Sequence, residues 1–110
     1  MNSGPMQGIM VTGHRPDKLG GYGPSETQAA VRTWLWERVK LHALYNEDPF
    51  AISGMALGVD QWFAEEALDL GVPVHAYVPF EGQESRWPEP SRYAYGKLLK
   101  RCAHFLIALR

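Results

Sequence analysis

The chain has 110 residues, of which 45% are apolar, and a formal net charge of -1. That is one domain of ordinary size with enough apolar residues for a core, which argues against disorder, and its balanced charge excludes the broad basic field that sequence-independent nucleic-acid or membrane-surface binding needs. A single cysteine, Cys102, excludes an internal disulfide framework; no apolar run reaches the roughly 18 residues of a membrane span and the amino end lacks a secretory pattern, so a cytoplasmic location is expected.

Residues 1–6 read as a flexible lead or an expression remnant. Gly8 to Val11 reads as a first strand, followed by a loop rich in Gly and Pro that runs to Pro24. Ser25-Glu26-Thr27-Gln28 has capping-box spacing and opens a long helix. In that helix Val31, Leu35 and Val39 recur every four residues beside Trp34, giving one apolar face. Asn46-Glu47-Asp48-Pro49 ends it. Phe50 to Ser53 is a second strand, and a glycine loop leads into a helix from about Asp60 to Leu70 that turns Phe63, Ala67 and Leu70 inward and stops at Gly71. A third strand, Val72 to Pro79, precedes a loop carrying Phe80, Gln83, Arg86 and Trp87. A last helix, about Ser91 to Arg101, leads to His104 to Leu109, a buried-strand pattern. Strands alternating with helices require crossovers, so the expected fold is one α/β domain, a three-layer sandwich with a mainly parallel four-stranded sheet and helices on both faces.

Two glycine loops carry the chemistry, because each follows an apolar run and should open from the carboxyl end of a strand. Thr12-Gly13-His14-Arg15-Pro16 has a glycine for close backbone approach and an Arg fork for phosphate; a strand-ending turn with a solvated Arg is the competing reading. Ser53-Gly54-Met55-Ala56-Leu57-Gly58-Val59-Asp60 runs straight into a helix, an arrangement suited to an anion at the helix amino end. Asp60 either caps that helix or contacts the ligand. Trp62, Glu65, Glu66 and Asp69 share a helical face, which suggests that Trp62 is spare aromatic surface for a base, a pocket or another subunit; Glu65 either accepts ribose hydroxyls or is a plain surface glutamate. Phe80, Gln83 and Trp87 sit past the third strand, where aromatic faces stack bases and an amide reads their polar edges, or where the aromatics simply pin the loop. The histidines at 14, 42, 75 and 104 show no ligand spacing, so neither a metal nor a cofactor is expected. Cys102 is expected to pack rather than react. Trp36, across from the Val31-Leu35 stripe, and Trp62, together with an apolar last strand, suggest a homodimer or higher oligomer.

Together, Val11-Thr12-Gly13-His14-Arg15-Pro16, Ser53 to Asp60 with Trp62 and Glu65, and Pro79-Phe80 with Gln83 and Trp87 resemble the SLOG superfamily, and within it the YspA/YpsA-like branch of nucleotide-sensor-like proteins. The likeness runs from about Met6 to Leu109. The stretch from Ser53 to Asp60 is also similar to a segment of the DNA-processing protein DprA. The resemblance implies a Rossmann-like sheet of order 3-2-1-4 with nucleotide-derived ligands at the strand carboxyl ends. On that basis Gly13, Arg15, Gly54 and Gly58 would hold phosphate, with Thr12, His14, Ser53 and Met55 as further ligand-binding residues, while Trp62, Phe80, Gln83 and Trp87 would enclose base or sugar and Asp60 and Glu65 would bind hydroxyls. Some SLOG relatives, the LOG enzymes, are phosphoribohydrolases, so hydrolysis of a nucleoside monophosphate with Glu65 or Asp60 as catalytic groups is an alternative; their Pro-Gly-Gly-x-Gly-Thr loop has no counterpart here. A single-stranded DNA or protein interaction module is the third reading.

Overall fold

The structure is a computed structural model that describes residues 7–10 and 26–107. In chain order the elements are β1 (Gln7–Met10), α1 (Glu26–Leu44), β2 (Pro49–Ser53), α2 (Val59–Asp69), β3 (Val74–Val78), α3 (Glu89–Arg101) and β4 (His104–Ile107). The alternation matches the expectation. Local chemistry explains where the helices stop. At the end of α1 the Asn46 amide donates to the His42 carbonyl at 2.7 Å, satisfying a carbonyl of the last turn. After α2, Gly71 takes φ 78°, the Val72 N–H donates to the Ala67 carbonyl at 2.9 Å and the Gly71 N–H to that of Leu68 at 3.0 Å. These are the paired bonds of a Schellman cap, and they require a residue free to adopt the left-handed region.

All four strands are parallel, in the order β1-β2-β3-β4. This corrects the expected order 3-2-1-4: β1 lies at one edge and pairs only with β2, while β3 pairs with β2 and β4. The link from α3 to β4 is short, and the Ala103 N–H donates to the Val74 carbonyl at 2.9 Å, which seats the returning chain beside β3. With sequential order, right-handed crossovers put every connecting helix on one face.

Burial agrees. Ala51, Ser53, Val74, Ala76 and Val78 are buried on one face of the sheet, beneath Leu35 and Val39 of α1 and Phe63, Ala64 and Ala67 of α2. The second expectation to be corrected is therefore helices on both faces, since the described helices form a single layer. On the opposite face Phe50 stacks on His75 at 4.6 Å and His104 meets His75 edge-on at 4.8 Å. Gly8 makes room for this, because a Cβ there would lie 2.8 Å from the Phe50 ring. Burial, and secondarily the neighbouring His104, lowers the His75 pKa.

Candidate functional site

A parallel sheet brings the carboxyl ends of its strands to one edge, and the register shows how the loops leave it. Met10 is opposite Ile52 and Ser53 is opposite Ala76, so the loop after β2 and the loop after β3 depart side by side. The loop at Thr12, Gly13, His14 and Arg15 lies outside the described residues. The other two touch: Gln83 donates its amide to the Gly54 carbonyl at 3.0 Å.

The loop between β2 and α2 is held from within. Ser53, 1% exposed, donates its hydroxyl to the Asp60 carbonyl at 2.8 Å and accepts from the Met55 N–H at 3.1 Å. Buried Gln61 donates its amide to the Met55 carbonyl at 3.0 Å. Met55 is fully buried at φ 64°, a left-handed conformation that costs a non-glycine residue about 1 kcal/mol or more, held here by its side chain in the core. Gly58 adopts φ 93° and ψ -131° as the N-cap of α2, a backbone region closed to other residues, and no side chain caps the helix. In the first turn the Gln61 N–H donates to the Gly58 carbonyl at 3.1 Å, and an N-terminus that begins on glycine without a side-chain cap suits an external anion through the N–H groups that precede it.

Asp60 is therefore not the cap. It stands in the first turn of α2 and accepts from the Ala56 N–H at 3.3 Å. Its carboxylate crowds Gly54, where a Cβ would lie 3.0 Å from Oδ2. Burial raises its pKa above the ordinary value of 3.8, and the bond from Ala56 offsets this in part.

The remaining candidates separate into groups. Trp62 is only 8% exposed and belongs to the core. This corrects its reading as spare surface: α2 packs against α1, α3 and the sheet, so its buried face is wider than one apolar stripe. Glu65 and Glu66 are engaged with α1 through Arg32, whose guanidinium donates to Glu65 at 2.7 Å and to Glu66 at 2.8 Å. Trp87 is buried edge-on against Tyr95 at 5.1 Å, which makes it an anchor for its loop. Gln83 also hydrogen-bonds Tyr95. Phe80 is 42% exposed. At the rim, then, the described chain brings together Gly54, Gly58, Asp60 and Gln83 on a scaffold of Ser53, Met55 and Trp87. Gln61, Tyr95 and Arg32 have supporting roles that no spacing signalled. One concavity is lined by Arg32, Thr33 and Trp36 of α1 with Glu66 of α2, and another runs along α1 from Trp34 to Leu44. Cys102 is half-buried, its thiol directed at the Leu98 carbonyl at 3.5 Å and its pKa raised by burial. No described helix is long and apolar enough to cross a membrane.

Comparison with known proteins places the chain. It is 34% identical over 101 residues to a UPF0398 protein of Bacillus velezensis, an alignment covering 86% of this chain and 54% of the relative. It is 29% identical over 105 residues to a UPF0398 protein of Lactobacillus helveticus, covering 91% and 56%, and 30% identical over 101 residues to one of Levilactobacillus brevis, covering 87% and 53%. The chain thus spans about half the length of the curated relatives it matches. A profile of the YspA SLOG family matches residues 9–109, nearly the whole sequence, and the chain belongs to that family.

Proposed function

We propose that this chain binds a nucleotide or nucleotide-derived small molecule at the carboxyl-end rim of its sheet. The observation that carries the reading is the amino end of α2, which begins on Gly58 without a side-chain cap and is held rigid by Ser53, Gln61 and Gln83. A phosphate is the ligand group that such an end favours, through unpaired N–H donors and the positive end of the helix dipole. Asp60 suits a ribose hydroxyl, and the half-exposed Phe80, on the loop that Gln83 ties to Gly54, supplies a stacking face for a base. Membership of a SLOG family supports a nucleotide-related ligand. Glu65, one of the two carboxylates that the hydrolytic alternative would use, is committed to an ion pair with Arg32.

Thermal denaturation with a panel of nucleoside mono- and diphosphates, ADP-ribose derivatives and the matching nucleosides tests the reading. A ligand at 100 times its dissociation constant stabilises by about 2.7 kcal/mol, which raises the midpoint of a domain this size by roughly 10 °C or more. Phosphorylated compounds should produce such a rise and their nucleosides a much smaller one. A panel at millimolar concentration that moves nothing overturns the proposal.

A further inference from the structure

The formal charge of -1 is unevenly distributed along the chain. Between residues 86 and 101 there are five bases, Arg86, Arg92, Lys97, Lys100 and Arg101, and one acid, Glu89, a local net charge of +4. All but Arg86 belong to α3. At 100° per residue, Arg92, Tyr93, Gly96, Lys97 and Lys100 fall within about 140° of the helix circumference, opposite the buried Tyr95 and Leu98. The five cations are exposed, and so is Tyr93, at 70%. Gly96 lies among them, and a Cβ there would meet nothing within 4 Å, so the stripe is open and low at its middle. Helix polarity accounts for Lys100 and Arg101, since cations suit a last turn, but not for Arg86, Arg92 or Lys97. Among the described residues Arg86, Lys97 and Lys100 make no ion pair. Those of Arg92 with Glu89, at 4.0 Å, and of Arg101 with Asp69, at 3.5 Å, join exposed side chains, and such pairs hold weakly.

We propose that this stripe binds the phosphate backbone of a single-stranded nucleic acid, with Tyr93 as the platform on which a base stacks. Charge asymmetry of this kind within one chain suits a polyanion. The acids of a second copy are poorly placed to serve as that polyanion: on α2, Glu65 and Glu66 are held by Arg32, Asp69 faces Arg101, and Asp60 is half-buried. A lipid surface needs apolar side chains that insert beside the cations, whereas Tyr95 and Leu98 of α3 are buried in the core. An exposed aromatic ring among the cations, with the Lys97 ammonium 5.4 Å from its centroid, is what marks this stripe off from a merely basic one. Such a ring stacks the bases of an unpaired strand, which a duplex keeps within its own stack. Arg92 and Lys100 are about 12 Å apart along the axis, long enough for more than one phosphate. Because the balanced total charge gives no broad basic field, the binding is local, and it weakens steeply with salt. The stripe lies on the outer face of α3 and does not depend on the ligand at the rim.

Fluorescence anisotropy of labelled dT and rU strands of about 15 nucleotides, with the full chain at up to several hundred micromolar and NaCl from about 50 to 200 mM, provides the test. Contacts from Arg86, Arg92, Lys97 and Lys100 give a slope of about -3 in log K against log salt, roughly a 50-fold loss over that range. Lys97→Glu combined with Lys100→Glu should weaken binding about tenfold or more at the lowest salt and flatten the slope. Tyr93→Ala should weaken it roughly fivefold or more and leave the slope as it is. Lys40→Glu, a like change of charge on α1, should bind as wild type does, and polyglutamate of matched charge should compete poorly. These substitutions are all at exposed positions, so the core is untouched. The proposal is overturned if wild type binds neither strand at the lowest salt, if either α3 variant binds like wild type, if Lys40→Glu weakens binding as much as they do, or if polyglutamate displaces the strand as well as unlabelled dT does.

Discussion

Ser53 and Gly58 do for the rim what no exposed residue does, because they fix the backbone that a ligand would meet. One hydroxyl serves both ends of the loop, donating to Asp60 and accepting from Met55, and the glycine permits a turn into α2 that no side chain could follow. Asp60 is the group in this loop whose ionisation opposes folding. Burial raises its pKa above 3.8 in the native state, so between that value and the raised one the native chain binds more protons than the unfolded chain, and stability falls as pH rises. Asp60→Asn retains an oxygen for the Ala56 N–H and has no charge to bury. The midpoint difference between Asp60→Asn and wild type should therefore grow in the variant's favour as pH rises from below 4 through that window and then level off. Thermal melts across this range that show wild type gaining on the variant would refute the assignment. At this scale the sequence was partly legible. The glycines at 54 and 58 announced a special turn, but the burial of Trp62 did not show, because its carboxylate neighbours suggest solvent while the packing of α1 and α3 around α2 is a tertiary fact.

Among the described helices, the contact of α1 with α2 is the broadest packing, and Arg32 is its polar clasp. Glu66, 14% exposed at its side chain, is the more buried partner, and Glu65, at 36%, the more open one. Half-exposed ion pairs contribute about 0.5–1 kcal/mol each. Arg32→Met is accordingly expected to cost about 1 kcal/mol by urea denaturation, less in high salt. The loss should be smaller when Glu66→Gln is already present, since a neutral amide needs no cation. Strictly additive losses would show that the pair contributes nothing. The seven elements could be read from periodicity and caps, because both are local signals: the four-residue recurrence of Val31, Leu35 and Val39, the stop at Gly71, the proline that opens β2. Strand order could not. Which strands lie beside β3 depends on pairing such as that of His75 with His104, and neither that pairing nor the Phe50-His75 stack leaves a mark in spacing.

At the scale of the molecule, one layer of described helices on a sequential parallel sheet puts the described strands' carboxyl ends along a single rim and leaves the outer side of α1 apolar. The rim is where a small ligand would sit. Amide chemical-shift mapping in the presence of a nucleoside diphosphate addresses the central claim most directly, since it reads the position of binding residue by residue. Saturable shifts should concentrate at Gly54 to Asp60 and at Phe80 to Gln83, with the Leu35 and Val39 amides unmoved. Saturable shifts centred on α1 or on the Phe50-His75 face, with the Gly54 to Asp60 amides unchanged, would contradict it.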